Sequence, residues 1–443
     1  MMMRATISII MLASRPTASP TQHHHRCHTH ALASLVLFLL ALLSLRCDGA
    51  AVMEEDDAGA LHINTSDPLL QPVYLNGMDV SALLAAQQDV IESQASQLAE
   101  LQDESKALRA LLCRRYPLSA SLIAGAGSVS SKWAGGVLAN NGLIYGIPFS
   151  AEFVLIIDPA TNTIDLSTIP TLFGGSKWSG GVLAGNGLIF GMPHDARSAF
   201  IINPEANTAD PVTVQGFSPN QAKWGSAVLG NNGLIYGIPF TAPSVLIINP
   251  DTKASDTDAL SGLTGSGLGG FKWYGGVVPD TTSTKIFCIP RDAEAVLIID
   301  TATNNTDVTV IAGLPQQSFK WLGGVLAPSG LIYSIPAGIK NVLIIDPTAN
   351  TTDITSIDGF SGSNKWIGGV RTTDGRVIGI PYSSSALLVI DPATQSSERI
   401  ALGQLDGLDP SEFRWWDGVV ADNGAVYAIP FDAQHVLVID PGC

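Results

Sequence analysis

Between residues 117 and 443 the apolar positions fall in short runs of strand length, broken by turn residues and without helical spacing. One unit recurs: Lys-Trp-x-Gly-Gly-Val-Leu-Ala, then Asn-Gly-Leu-Ile-Tyr-Gly-Ile-Pro, then Val-Leu-Ile-Ile-Asp-Pro-x-Thr-Asn. Its tryptophans are Trp133, Trp178, Trp224, Trp273, Trp321, Trp366 and Trp415, at intervals of 45, 46, 49, 48, 45 and 49 residues. The Asp or Asn ending the third run (Asp158, Asn203, Asn249, Asp300, Asp346, Asp391, Asp440) lies 25 residues after its Trp in every unit but the fourth, where the gap is 27. Three β-rich runs plus a Thr/Asp/Ile-rich fourth in about 47 residues is the period of a propeller blade, and no unit is helical throughout. The expected fold is all-β: a seven-bladed β-propeller of four-stranded blades, preceded by a helical coiled-coil segment.

The chain ends fit ring closure. The last unit stops at Asp440-Pro441-Gly442-Cys443, before a fourth strand, while Leu118–Ala124 lies ahead of the first Trp where a fourth strand lies in other units. The N-terminal strand is therefore expected to complete the last blade, so that no sheet edge is left open. Counting back one blade from Trp133 brings Cys113 to the place where Cys443 arrives, which suggests a Cys113–Cys443 disulfide; an interchain Cys113 bridge is the rival. Cys288 stands in a second strand and reads as a buried free thiol.

Ahead of the repeats three segments differ in kind. Residues 1–50 carry Arg15, Arg26 and five histidines before Ala31–Leu45, an apolar run of 15 residues. That is a signal-peptide core or an uncleaved signal-anchor, either placing the remainder outside the cytosol. The histidines (His23, His24, His25, His28, His30) fall in this leader and are not read as a metal site. Residues 51–78, acidic and then Pro-punctuated, read as a linker. Residues 79–115 lack Gly and Pro and place Leu84, Ile91, Leu98 and Leu112 on one heptad position and Val80, Leu101 and Leu108 on the other, with Asp79 as N-cap. An oligomerising stalk is expected there, with an amphipathic helix packed on the next domain as the alternative. Sequons at Asn64, Asn304 and Asn350 agree with a secreted glycoprotein.

The stretch from Tyr145-Gly-Ile-Pro to Val154-Leu-Ile-Ile-Asp158-Pro-Ala-Thr-Asn162 resembles the YVTN group of propeller repeats, and the Gly-Gly pair after Trp is more loosely similar to kelch repeats. The resemblance covers 117–443 and implies a propeller with binding or surface roles. The Gly-His/Trp-Asp pair of WD40 blades and the sialidase Asp box are missing from the motif.

Composition narrows the partners. With 23 Lys+Arg against 39 Asp+Glu, a net charge of −16, the chain is a poor match for nucleic acid. The cations before the tryptophans (Lys132, Lys177, Lys223, Lys272, Lys320, Lys365, Arg414) suit blade packing with the Lys stem over the Trp; a ring holding an anion is the alternative. Asp-Pro-x-Thr-Asn turns are read as Asx turns, with calcium as the lesser possibility and no other cofactor expected. A ligand site should break the repeat, and the loops after each Ile/Met-Pro do so, as does the start of the last blade. The candidate ligand-binding residues are His194, Asp195, Arg197, Arg291, Asp292, Tyr382, Trp416, Asp417, Asp432 and His435, with aromatic and polar groups suited to carbohydrate or an extracellular protein partner. His194 and His435 with Asp195 and Asp432 are the residues a hydrolase or lactonase would use. The Gly-rich first strands are expected to offer no ionisable side chain to a central pocket, which weighs against catalysis. A secreted or surface-tethered, non-catalytic binding protein is the expectation; a structural matrix or cell-wall component is the third reading.

Overall fold

The computed structural model describes residues 118–443 apart from 171–172, 265–269, 404, 406–412 and 443; before them it describes short backbone segments and helical residues 86–97 and 100–101. The chain divides into two units, Met1–Ala107 and Leu108–Cys443.

In the first unit Thr6–Ile9, Leu61–Asn64 and Val52–Glu55 pair as one antiparallel sheet, and Arg46–Cys47, Val73–Leu75 and Met78–Asp79 as another. Strand pairing thus occupies part of 51–78, where a linker is expected. Asp79, expected as a helix cap, is paired with Tyr74 instead, two residues (Asn76-Gly77) separating Leu75 from Met78. Asn-Gly is a favoured hairpin connection, a signal the helical reading passed over. Helix is described at 86–97 and 100–101, which does not support the continuous 79–115 coiled coil, and the rest of 80–115 lies outside the described residues; Val90, Ile91 and Leu101 on it are exposed. The apolar run Ala31–Leu45, Cys113 and Cys443 lie outside the described residues, so the leader and the Cys113–Cys443 pairing do too. Among the described residues no helix is long and apolar enough to cross a membrane.

The second unit is a seven-bladed propeller. Each of the seven sheets is a four-stranded antiparallel meander; blade 1 runs Trp133–Leu138, Ile144–Pro148, Leu155–Asp158, Thr163–Asp165. The last sheet is completed by Ser119–Ala124, registered on His435–Asp440 from Ala124↔His435 to Ser119↔Asp440, as the strand count requires. First strands of successive blades pack against one another around the whole circle and so line the axis. Seven apolar clusters fill the seven gaps between blades, each built on one Trp with aliphatic residues from both sheets and, in all but the one between blades 6 and 7, a Tyr or Phe; an eighth spans the axis.

The Trp-x-Gly-Gly segment explains the close approach at the axis. A bulge follows each Trp: Trp133 pairs with Pro148 and Gly136 with Gly146, leaving one residue extra on the first strand. The first Gly of the pair takes a positive φ, 98° at Gly135, a left-handed conformation that costs glycine nothing. The second Gly receives the preceding blade's isoleucine: a Cβ at Gly136 would meet Ile429 Cδ1 at 2.6 Å. The Asp and Asn residues ending the third strands accept the amide two residues on in all seven blades (Asp158 from Ala160, Asp440 from Gly442), which makes them Asx turns. Asn162, Asn207, Asn304 and Asn350 hold φ of 51–53° in those turns, so the asparagine of the Asn304 and Asn350 sequons also serves the backbone. Asn304 is exposed and Asn350 half-buried.

Candidate functional site

The seven cations are structural. The amide of each donates to the carbonyl of the residue following the proline in the preceding blade, from Lys132 to Phe431 round to Arg414 to Tyr382, at 2.7–2.9 Å. Their side chains are buried as well. Lys177 Nζ donates to Ala151 and Gly174 carbonyls, Lys320 Nζ to Ala293 and Gln317, and Lys365 Nζ to Ala337, Ile339 and Gly362. Each indole N–H beside them donates to a carbonyl of its own blade, as Trp321 does to Asn341 at 2.8 Å. Burial pushes Lys177, Lys223, Lys272, Lys320 and Lys365 down to about 8, still mostly charged at neutral pH. A ring of free ammoniums for an anion is therefore not what this position builds.

The residues after the prolines form a second circle on the same face: Phe149, His194, Phe240, Arg291, Ala337, Tyr382 and Phe431. Phe149 lies 5.1 Å from His194 and 5.7 Å from Phe431 between ring centroids, and His194 6.0 Å from Phe240. The residues after each Trp sit inside this circle. Tyr274 and Trp416, from blades 4 and 7, meet across the axis, Trp416 Nε1 donating to Tyr274 Oη at 2.5 Å. Leu322, Ile367, Ala337, Tyr382 and Phe431 complete the plug. Around it Phe271 and Phe413 are each 41% exposed, Phe413 stacked on Tyr382 at 4.7 Å and Phe271 packed 4.8 Å from Phe240. Columns read across the repeats would have found this aromatic floor; single loops did not.

The polar candidates divide by role. Asp195, Asp292 and Asp432 occupy one equivalent position and tie the next blade's approach loop, accepting amide hydrogens from Ala222 at 2.8 Å, Phe319 at 2.8 Å and Ser131 at 2.6 Å. Those three donors hold left-handed φ of 47–58°, so the carboxylates stabilise bent loops. Arg291 lies 4.7 Å from both Phe271 and Phe319 rings and 5.3 Å from Phe240, with Nη1 on Asp292 Oδ1 at 2.8 Å; its Nε is buried without a partner. His194 Nδ1 lies 3.3 Å from Asp195 Oδ1, out of line for a hydrogen bond, and burial, partly opposed by Asp195, lowers its pKa. His435 is elsewhere, at the start of a third strand paired with Ala124, and Arg197 is exposed on an outer loop. The structure thus does not gather His194, His435, Asp195 and Asp432 into one centre. Among the described residues no three His, Cys, Asp or Glu side chains converge on a metal-sized site.

Asp417 corrects the expectation that the axis lacks ionisable groups. It stands where five blades have the first Gly, at φ 68°, and with Tyr274 and Ser226 it lines a cavity of about 130 Å³ between the glycine-rich first strands. Its Oδ1 accepts the Gly418 amide at 2.8 Å, and burial raises its pKa to about 6 against that bond. The residue is half-buried and borders the axial space. It lines the axial channel and not the aromatic circle.

These features define the class: a closed seven-bladed propeller with an aromatic face over a plugged axis. No family model and no curated protein sequence matches the chain. Solved structures do. A streptogramin B lyase aligns with TM-score 0.58 and 11% identity over 73% of this chain and 97% of that one. Virginiamycin B lyase from Staphylococcus aureus aligns at 0.59 and 9%, over 73% and 99%. The extracellular domain of a putative hybrid two-component system from B. thetaiotaomicron aligns at 0.53 and 10%, over 73% and 43%. At such identities the likeness is one of fold.

Proposed function

We propose that this chain is a secreted or cell-surface binding protein whose propeller, built of YVTN-like repeats, recognises carbohydrate without catalysis. One observation carries the reading: the aromatic face, where Phe271, Phe413 and half-buried Trp416 surround Arg291 and Tyr382. Sugar rings present C–H faces that stack on such side chains, and Arg291 supplies directional donors beside them. The exposed apolar residues Val90, Ile91 and Leu101 on the helix favour assembly of several heads through 79–115, and avidity would then raise weak affinities. The hydrolase alternative has less behind it, because His194 and His435 serve different strands.

The test is a glycan array probed with the protein secreted from eukaryotic cells, once with calcium and once with EDTA. Binding that falls tenfold or more in Phe413→Ala and Trp416→Ala, and is unchanged in Arg197→Ala, supports the reading. Silence under both conditions discards carbohydrate and turns the search to a protein partner.

A further inference from the structure

On the side of the propeller where second strands begin, six of the seven blade junctions are pinned by a side chain reaching a carbonyl of the next blade. Asn141 and Tyr145 reach Pro204, Asn186 reaches Pro250, and Asn231 reaches Asp280 and Ser283. Tyr333 reaches Pro392, Arg376 reaches Pro441, and Asn423 and Tyr427 reach Pro159. Among the described residues no such bond joins blade 4 to blade 5. The sequence accounts for this: blade 4 replaces the Asn-Gly turn by Asp280–Lys285, two residues longer, and has Phe287 where blades 1, 3, 5 and 7 have Tyr.

The loss has a visible consequence. The turn asparagines Asn162 and Asn207 accept the tyrosine hydroxyls of the preceding blade, Tyr427 at 2.7 Å and Tyr145 at 3.3 Å. Asn350, at the same position in blade 5, faces Phe287's blade, and its Oδ1 is buried with no partner. A cavity of about 290 Å³ opens there, lined by Lys285, Asp300, Thr303, Thr306, Asp307 and Asn350 among others. Buried acceptors are nearly always satisfied, so an orphaned one beside a cavity points to a donor that arrives with a ligand or with water.

We propose that this seam is a saccharide site, separate from the aromatic face and independent of whether that face binds glycans. The chemistry of the lining selects the class. Asn350 Oδ1 requires a donor, and Asp307, whose three hydrogen bonds all fall on Oδ1, keeps Oδ2 as a second acceptor. The Lys285 ammonium and the hydroxyl of Thr306 require acceptors, while Thr303 already donates to Asp300. Neighbouring hydroxyls of a neutral sugar answer both demands, whereas two carboxylates against one ammonium disfavour an anion. The cavity holds about one hexose. Such a sugar has two sources, free saccharide or the first residue of the protein's own N-glycan, because the Asn304 and Asn350 sequons both border the cavity.

The substitution Phe287→Tyr tests this by restoring the hydroxyl that closes the equivalent seams. Full-length protein secreted from cells treated with an N-glycosylation inhibitor is titrated with glucose, mannose and N-acetylglucosamine, using saturation-transfer NMR. At least one sugar should bind, at least tenfold more weakly in Phe287→Tyr and Asn350→Ala, and unchanged in Arg399→Ala, on the outer strand of blade 6 away from both faces. The protein from untreated cells is examined by mass spectrometry and by hydrogen exchange of residues 303–307 and 350. If Asn304 or Asn350 carries a glycan, those amides should be protected relative to the inhibited sample and free sugar should no longer bind, identifying the attached sugar as the occupant. The proposal is overturned if no sugar binds the unglycosylated protein and glycosylation protects nothing, or if Phe287→Tyr binds sugar as tightly as the parent.

Discussion

The Lys320 ammonium donates to Ala293 and Gln317 carbonyls at 3.0 Å each, while its stem lies along Trp321 with Nζ 5.8 Å from the ring centroid. Lys320→Met keeps the stem and removes the donor, leaving two acceptors stranded in a buried place. A loss of about 2 kcal/mol is expected, read as a lower urea midpoint at unchanged slope. Asp417 acts through charge. Its folded pKa of about 6 lies above the ordinary value of 3.8, so the native state is favoured when the carboxyl is protonated. The stability it contributes is complete below about pH 4 and is lost as pH rises through about 6. Asp417→Asn should flatten that part of the stability–pH curve in chemical denaturation; an unchanged curve would show that the axial carboxyl is better solvated than its surroundings imply. The repeated Lys-Trp pair made the first role legible in sequence. The second was hidden, because Asp417 had to be aligned with the first glycine of the pair before its place on the axis could be seen.

At the scale of elements, strand boundaries were readable since each was marked twice, by a Trp or Pro at one end and an Asx turn at the other. Loop contacts were not, because they join residues of different blades. Asp292 looked like a ligand-facing carboxylate until the next blade delivered the Phe319 amide to it at 2.8 Å. Asp292→Ala should cost about 2 kcal/mol by stranding that amide and leaving Arg291 without its ion partner, and Asp292→Asn, which keeps the acceptor, should recover most of it. Equal losses in thermal unfolding of the two variants would mean that the charge on Arg291, and not the loop cap, dominates. The start of the expected stalk is altered for a related reason: heptad spacing registers apolar positions, but the pairing of Tyr74 with Asp79 draws Asp79 into a hairpin.

For the whole molecule, ring closure rests on a strand that precedes the first blade in sequence. Ser119–Ala124 covers the outer edge of His435–Asp440, and Leu118, Ala120 and Leu122 pack on the cluster between blades 6 and 7 that contains Trp415. Removing residues 118–124 leaves the His435–Asp440 edge with unpaired amides and carbonyls and strips part of that cluster. The stripped cluster lies between blades 6 and 7, and Ile123 of the same strand packs on the cluster between blades 7 and 1, so both interfaces of the last blade are weakened. An exposed edge of apolar Val436–Ile439 character is also a template for another chain. Protein lacking 118–124 should therefore unfold at lower temperature than the parent and self-associate in light scattering. A peptide of the deleted sequence, added in excess, should bind the open edge and restore monodisperse protein. If the truncated ring stays monodisperse with unchanged melting, the seven Lys–Trp junctions and the interblade clusters close the propeller by themselves and the latch is dispensable.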